Sequence, residues 1–168
     1  MRQPKITVLA YGEGDDEKIF LRHLEALYCR RKLVSVRTGS AGGGSPSSIL
    51  MRAKSFRWGY RRDFEFILLD TDKTWPPEMI DLAAEEEIKL IGSSPCLEAF
   101  FLDILQSPHS CKGVGSKKCK EIFETHHCSG HNFTEEECAR LFPKAFLNEA
   151  RKRNEDLNYI ITAMEGTL

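Results

Sequence analysis

At 168 residues the chain has the length of one domain and can bury a core without disulfide or metal staples. Its net charge of −1 excludes a nucleic-acid binder that works by backbone neutralisation alone, because such proteins carry a clear basic excess. No apolar run reaches the length of a membrane span and the N-terminus lacks a signal-peptide core, so a cytoplasmic protein is expected, with no membrane association. In that compartment the six cysteines, Cys29, Cys96, Cys111, Cys119, Cys128 and Cys138, are expected as free thiols unless a metal claims some.

Lys5 to Tyr11 reads as a first strand, β-branched and mostly apolar, as suits a strand covered on both faces. Gly12-Glu13-Gly14 turns the chain into a helix with Ile19, Phe20, Leu24, Leu27 and Tyr28 at helical spacing. Asp15, Asp16 and Glu17 open this helix and Arg30, Arg31 and Lys32 close it, which suits a helix macrodipole. A short second strand, Leu33 to Arg37, leads to the glycine-rich stretch Thr38 to Pro46. Ser45 then reads as the cap, and Pro46 as the first residue, of a second helix reaching Phe56.

The third strand, Phe64 to Leu69, ends at Asp70; Pro76-Pro77 starts a third helix, and Ile88 to Ile91 is the fourth strand. This alternation predicts an α/β fold with a mostly parallel four-stranded sheet and right-handed crossovers. Beyond Gly92 only helices are expected: Cys96 to Leu105, Ser116 to Thr125, a capping box at Thr134 to Glu137 with Pro143 ending or kinking its helix, and a tail helix bearing Leu157, Ile160, Ile161 and Met164. The economical division is an α/β core over residues 1–106 and a helical extension over 107–168, packed together as one domain.

Glu13 follows the first strand, and Asp70 and Asp72 follow the third. If those strands are neighbours, the three carboxylates converge at the carboxyl edge of the sheet, where open α/β sheets bind ligands. Carboxylates so close repel unless a cation neutralises them, and all-oxygen ligation favours Mg²⁺ or Mn²⁺. Such a site suits phosphodiester hydrolysis. The plainer alternative is that acidic residues favour turns and helix starts, as Asp15, Asp16 and Glu17 do.

Residues 11–21, Tyr-Gly-Glu-Gly-Asp-Asp-Glu-Lys-Ile-Phe-Leu, resemble the glutamate motif of Toprim domains, and Leu68-Leu69-Asp70-Thr71-Asp72 resembles their Asp-x-Asp motif. Residues 91–102, Ile-Gly-Ser-Ser-Pro-Cys-Leu-Glu-Ala-Phe-Phe-Leu, are similar to a third signature, found in RloB-like proteins, which are related to the overcoming-lysogenization-defect nucleases. Leu97 stands where relatives often carry an aromatic residue, and Ser94 where they often carry asparagine. The resemblance covers the chain to about residue 106 and implies a Toprim-like (Rossmann-like) fold with Mg²⁺-dependent cleavage of DNA or RNA. It further implies a setting in bacterial anti-phage defence or restriction-linked systems, with an ATPase partner of the ABC/AAA kind. On it, Glu13, Asp70 and Asp72 take the metal and acid/base positions and Glu98 becomes a possible further ligand.

Glu98 also reads as a buried acid paired with Lys or Arg, or as part of an exposed stripe. Arg57, Arg61 and Arg62, interleaved with Phe56, Trp58 and Tyr60, are either a nucleic-acid contact or a solvated face. Lys117, Lys118, Lys120 and Lys144 are candidates for phosphate contact, with nothing in the sequence to select among them. The glycine-rich loop either cradles a phosphate or forms a mobile substrate-side loop, and it lacks the Gly-Lys-Ser/Thr of a P-loop. Cys111, Cys119, His126, His127, Cys128, His131 and Cys138 invite a structural Zn²⁺, although no Cys-x-x-Cys pair is present.

The leading expectation is therefore a metal-dependent endonuclease or nuclease subunit. A Toprim module without catalysis, binding nucleic acid or an ATPase and acting only in the assembly, is the alternative. An Asp-x-Asp phosphatase fits less well, since that family places its aspartate pair after the first strand.

Overall fold

The computed structural model describes residues 5–130 and 132–168. Four strands, β1 (Ile6–Gly12), β2 (Val34–Ser40), β3 (Phe64–Asp70) and β4 (Ile88–Ser93), form one sheet in the order β2-β1-β3-β4. Every pairing is parallel, so the expected α/β sheet is present and has no antiparallel member. Val8, Leu9 and Ala10 of β1 and Phe66 to Leu69 of β3 are fully buried, which is why these central strands read as unbroken apolar runs. Strand β2 extends past the expected Arg37, because Thr38, Gly39 and Ser40 pair with Ala10, Tyr11 and Gly12. Gly39 accommodates the Phe56 ring, which a Cβ would meet at 2.6 Å.

Eight helices lie among the described residues: α1 (Asp15–Tyr28), α2 (Pro46–Phe56), α3 (Pro77–Glu85), α4 (Leu97–Ile104), α5 (Ser116–His127), α6 (Glu135–Leu141), α7 (Lys144–Ala150) and α8 (Glu155–Glu165). Helices α2 and α3 bury Ile49, Leu50, Ala53, Met79 and Ala83 against Tyr11, Ile67 and Leu69 on one sheet face. The opposite face carries α1 and the whole helical remainder in one continuous cluster from Phe20 to Met164. Phe101 of α4 lies at its centre, with the rings of Phe20, Phe133 and Phe142 each 5.0 Å away and Phe123 at 5.4 Å. That aromatic contact ties α5 and α6 to α1 and α4.

Three local expectations are corrected. Helix α1 stops at Tyr28, so Arg30, Arg31 and Lys32 do not close it; they form the turn in which the Leu33 and Val34 amides donate to the Arg30 carbonyl before the chain enters β2. Thr134 caps α6 by accepting the Glu137 amide, but the Glu137 carboxylate turns to Ser129 and Arg140, leaving only half a capping box. Cys111 and Cys119 are not free thiols: the loop after α4 folds back on α5, bringing their Cα atoms to 5.3 Å, and the two are joined as a disulfide.

The turn from β1 into α1 is tight. A Cβ on Gly12 would stand 2.4 Å from the Glu17 Cβ, so the strand can enter its helix only through glycine. Gly12→Ala is expected to cost about 1–3 kcal/mol, the usual range for overpacking. Equilibrium urea unfolding measures it; an unchanged midpoint would show that the turn has room to spare.

Candidate metal centre

The strand order brings the sequence-predicted carboxylates to one edge. From β1 the chain crosses to β2 on one side and then returns to β3 on the other, which makes the carboxyl ends of β1 and β3 the switch point of the sheet. Gly12 pairs with Leu68, and the Glu13 amide extends the ladder by donating to the Leu68 carbonyl at 3.0 Å. The Glu13 carboxylate then accepts the Asp70 amide at 3.0 Å, spanning the two strand ends. Asp70 is held from below, its carbonyl accepting the Trp75 indole N–H at 3.0 Å.

Glu13, Asp70 and Glu98 face a cleft of about 400 Å³, together with Glu17, Asp15 and Asp16, the backbone of Gly42 and Gly43, and Lys120. Glu98 enters from the first turn of α4 and is 7% exposed. Its Oε1 lies 3.8 Å from the Lys120 ammonium, and its Oε2 is buried without a hydrogen-bond partner. Asp70 Oδ1 is likewise buried and unpartnered. Glu98 is thus both the buried, paired acid and the cleft-facing acid that its sequence context allows.

Asp72 is placed differently. The Thr71 and Asp72 amides both donate to the Pro95 carbonyl, which folds this loop onto the turn before α4. The Asp72 side chain is exposed, does not line the cleft, and accepts the Ser116 hydroxyl of α5 at 3.2 Å.

Asp15, Asp16 and Glu17 all line the cleft although they read as helix-start charges in the sequence, and Glu17 is the buried one. It is 6% exposed, and its Oε2 accepts the Gly14 amide at 2.8 Å, reaching back from the third helical position to the start of the turn. The signal was available in Gly14-Asp15-Asp16-Glu17: a glutamate at the third position of a helix reaches back toward the cap, here at the edge of the sheet. Lys120, one of four lysines with equal standing in the sequence, is the one that lines the cleft.

The other basic candidates sit elsewhere. Arg57 bridges Glu65 (3.2 Å), itself 3% exposed, and Glu86; Arg61 pairs with Glu87 at 2.7 Å; and Arg62 bonds the Glu65 carboxylate through its amide at 2.7 Å. These three residues precede β3, at the amino edge, some ~20 Å along the strand from Asp70. Lys118 pairs with Glu121, Lys144 donates to the Leu27 carbonyl, and Lys117 is exposed on α5 without lining the cleft.

The crowded carboxylates alter one another. Burial, then the charges of Glu17, Glu13, Glu98 and Asp72, push the Asp70 carboxyl up to about 8. Glu17 is pushed up to about 7, chiefly by burial, although the amide bonds at the helix start oppose the rise. Burial lowers the Lys120 ammonium, but Glu98 and Asp70 outweigh that and leave it raised. The donor set is all oxygen, and its two orphaned carboxylate oxygens call for a proton or a cation, which fits a hard divalent ion.

Among the described residues no three His, Cys, Asp or Glu side chains already stand as a ready ligand set. One carboxylate oxygen each of Glu13, Glu17 and Asp72 is engaged, by the Asp70 amide, the Gly14 amide and the Ser116 hydroxyl respectively. In the Cys/His-rich segment the disulfide takes Cys111 and Cys119 out of any zinc set, and the rings of His109 and His126 stack at 3.5 Å. His131 lies outside the described residues. A second cleft, about 540 Å³, runs between α4 and the loop carrying His109 to Val114 and is lined by none of the candidate carboxylates Glu13, Asp70, Asp72 and Glu98. No helix among the described residues is long and apolar enough to cross a membrane.

No family model matches the chain, and neither a curated protein nor a solved structure matches it.

A carboxyl held above its ordinary pKa keeps its proton in the folded state after the unfolded chain has lost it, so rising pH favours unfolding between the two values. For Asp70 that window runs from 3.8 to about 8. Without divalent cations, Asp70→Asn is expected to match wild type at or below about pH 4 and to exceed it by a margin that grows to several degrees in Tm by about pH 8. Thermal melts of both proteins in chelator check this; a constant difference across the range would place Asp70 in an ordinary solvated setting.

Proposed function

We propose that this protein is a small Toprim-type, RloB-like nuclease or nuclease subunit that hydrolyses phosphodiester bonds of DNA or RNA with Mg²⁺ or Mn²⁺ in the carboxylate cleft. The reading rests above all on the two buried, partnerless oxygens of Asp70 and Glu98, facing one cleft at the sheet's switch point with a single lysine as nearby cation. The three sequence resemblances support it independently. Anti-phage or restriction-linked defence and an ABC/AAA-type ATPase partner rest on the resemblance alone.

Glu13, Asp70 and Glu98 would hold the cation, with Asp72 joining after its side chain leaves Ser116. When bound, the cation would supply positive charge for the scissile phosphate and lower the pKa of an attacking water. The chain supplies positioning. Gly42 and Gly43 have φ of 73° and 88° and open space where a side chain would be, so their backbone can approach a phosphate closely. Lys120 adds a half-exposed positive charge at the rim, suited to a phosphate oxygen.

The position of Asp72 favours a second reading, in which the site completes itself only in an assembly. A module that binds nucleic acid or an ATPase and becomes active there would keep one acidic ligand outside the cleft until the partner arrives.

Glu13→Gln and Asp70→Asn are each expected to lower Mn²⁺-dependent cleavage by at least about a hundredfold. Circular dichroism should show both variants folded, and cleavage of labelled single- and double-stranded DNA and RNA reads the effect. Cutting at the wild-type rate by both variants would contradict the site assignment. Cleavage by wild type only when an ATPase is added would select the assembly reading.

A further inference from the structure

The metal-site reading leaves the disulfide unexplained, although it lies within one residue of the cleft. Cys119 is followed directly by Lys120, and Ser116, which holds Asp72, opens the same helix. Two contacts from the first half of α5 therefore act on candidate ligands: Lys120 on Glu98 at 3.8 Å, and Ser116 on Asp72 at 3.2 Å.

Otherwise that half of the helix is held by the Cys96 thiol, which donates to the Ser116 carbonyl at 3.9 Å, and by Val114 packed against the core just before it. Cys119 and Phe123 are the only buried residues of α5, its cap position is Gly115, which has no side chain to cap the helix, and the preceding segment contains Gly113 as well. The loop after α4 is clasped to the far end of α5 by the Ser107–His127 hydrogen bond at 2.9 Å and by the stacked rings of His109 and His126. At the near end, the covalent tie is the Cys111–Cys119 bond. Cys119 is fully buried, whereas Cys111 is 9% exposed and lines the open cleft of about 540 Å³ beside α4. Both residues are buried in the core cluster, and Cys111 is the one of the pair that borders the cleft.

We propose that the Cys111–Cys119 disulfide is a redox latch on the carboxylate cleft, and this rests on the cation-site reading above. Oxidised, it holds α5 so that Lys120 occupies Glu98 and Ser116 draws Asp72 away, a state of low cation affinity. A dithiol reductant opens it. Its thiolate attacks Cys111 Sγ, the Sγ–Sγ bond breaks, and Cys119 leaves as a thiolate that takes a proton from solvent. The reductant's second thiolate then displaces Cys111, so the reductant ends as a disulfide, having passed two electrons to the protein's two thiols. The first turns of α5 loosen, the ammonium withdraws and Asp72 is free to rotate inward.

The test uses the full chain in air-oxidised form and after reduction by a non-chelating phosphine. Mn²⁺ affinity is read by titration, and amide exchange across residues 111–123 is read by mass spectrometry. Reduction is expected to tighten Mn²⁺ binding about tenfold, as removal of a positive charge a few ångströms from the ion should. It should also speed exchange at 116–120. Cys111→Ser should show the reduced behaviour with or without oxidant. Equal Mn²⁺ affinity and exchange in both redox states, with measurable binding, would overturn the latch and leave the cation site standing. Absence of Mn²⁺ binding in every state would overturn the cation site, and the latch as its regulator with it. Free thiols at both positions in air-oxidised protein would overturn the latch directly.

Discussion

The structure turns on a surplus of negative charge at one place. At the junction of β1 and β3 the ladder runs one bond past the strands, through the Glu13 amide, and the Glu13 carboxylate grips the next amide at Asp70. Glu17 is pressed in from α1 and Glu98 from α4, both nearly buried, with Lys120 as the cation that lines the cleft. Packing a carboxylate beside others in a partly desolvated cleft is unfavourable unless a proton or a cation balances them. The fold accepts that cost at the carboxyl edge of its sheet while the amino edge shows the opposite arrangement. There Glu65 and Glu86 are matched by Arg57 and Lys54, and Arg61 pairs with Glu87.

The helical remainder of the chain is more than a cover for the sheet. Its aromatic centre at Phe101 draws α5 against α4, and that packing sets Ser116 and Lys120 beside the loops that carry Asp72 and Glu98. Residues more than 40 positions apart in sequence thereby share one site. The same packing gives the site its adjustable part, because α5 is buried through only two residues whereas α1 and α4 are anchored along their length.

Much of the sheet was legible in the sequence because its signals are local. Apolar or β-branched stretches located every strand, although β2 runs on to Ser40, and Ser45-Pro46 located the start of α2 to the residue. Strand order was not legible, since nothing local says that β1 sits between β2 and β3, and the convergence of Glu13 with Asp70 depends on that order. An Asp-x-Asp spacing puts two carboxylates on one loop, but it does not report that the second accepts the Ser116 hydroxyl, 44 positions on, rather than lining the cleft. Arg57 looked available because its partners Glu65 and Glu86 lie 8 and 29 residues away. Glu17 looked like an ordinary helix-start charge because its burial comes from Gly12 and the sheet edge, which no periodicity reports.

The account stands or falls on whether the cleft holds a divalent cation. Crystals soaked in Mn²⁺, with data collected at an energy where manganese scatters anomalously, test this directly. A single strong anomalous peak between the carboxylates of Glu13 and Asp70, with Glu98 or a rotated Asp72 completing the oxygen shell, is the predicted result. An absence of anomalous density in the cleft at saturating Mn²⁺, with the carboxylates keeping their present hydrogen bonds, would contradict it.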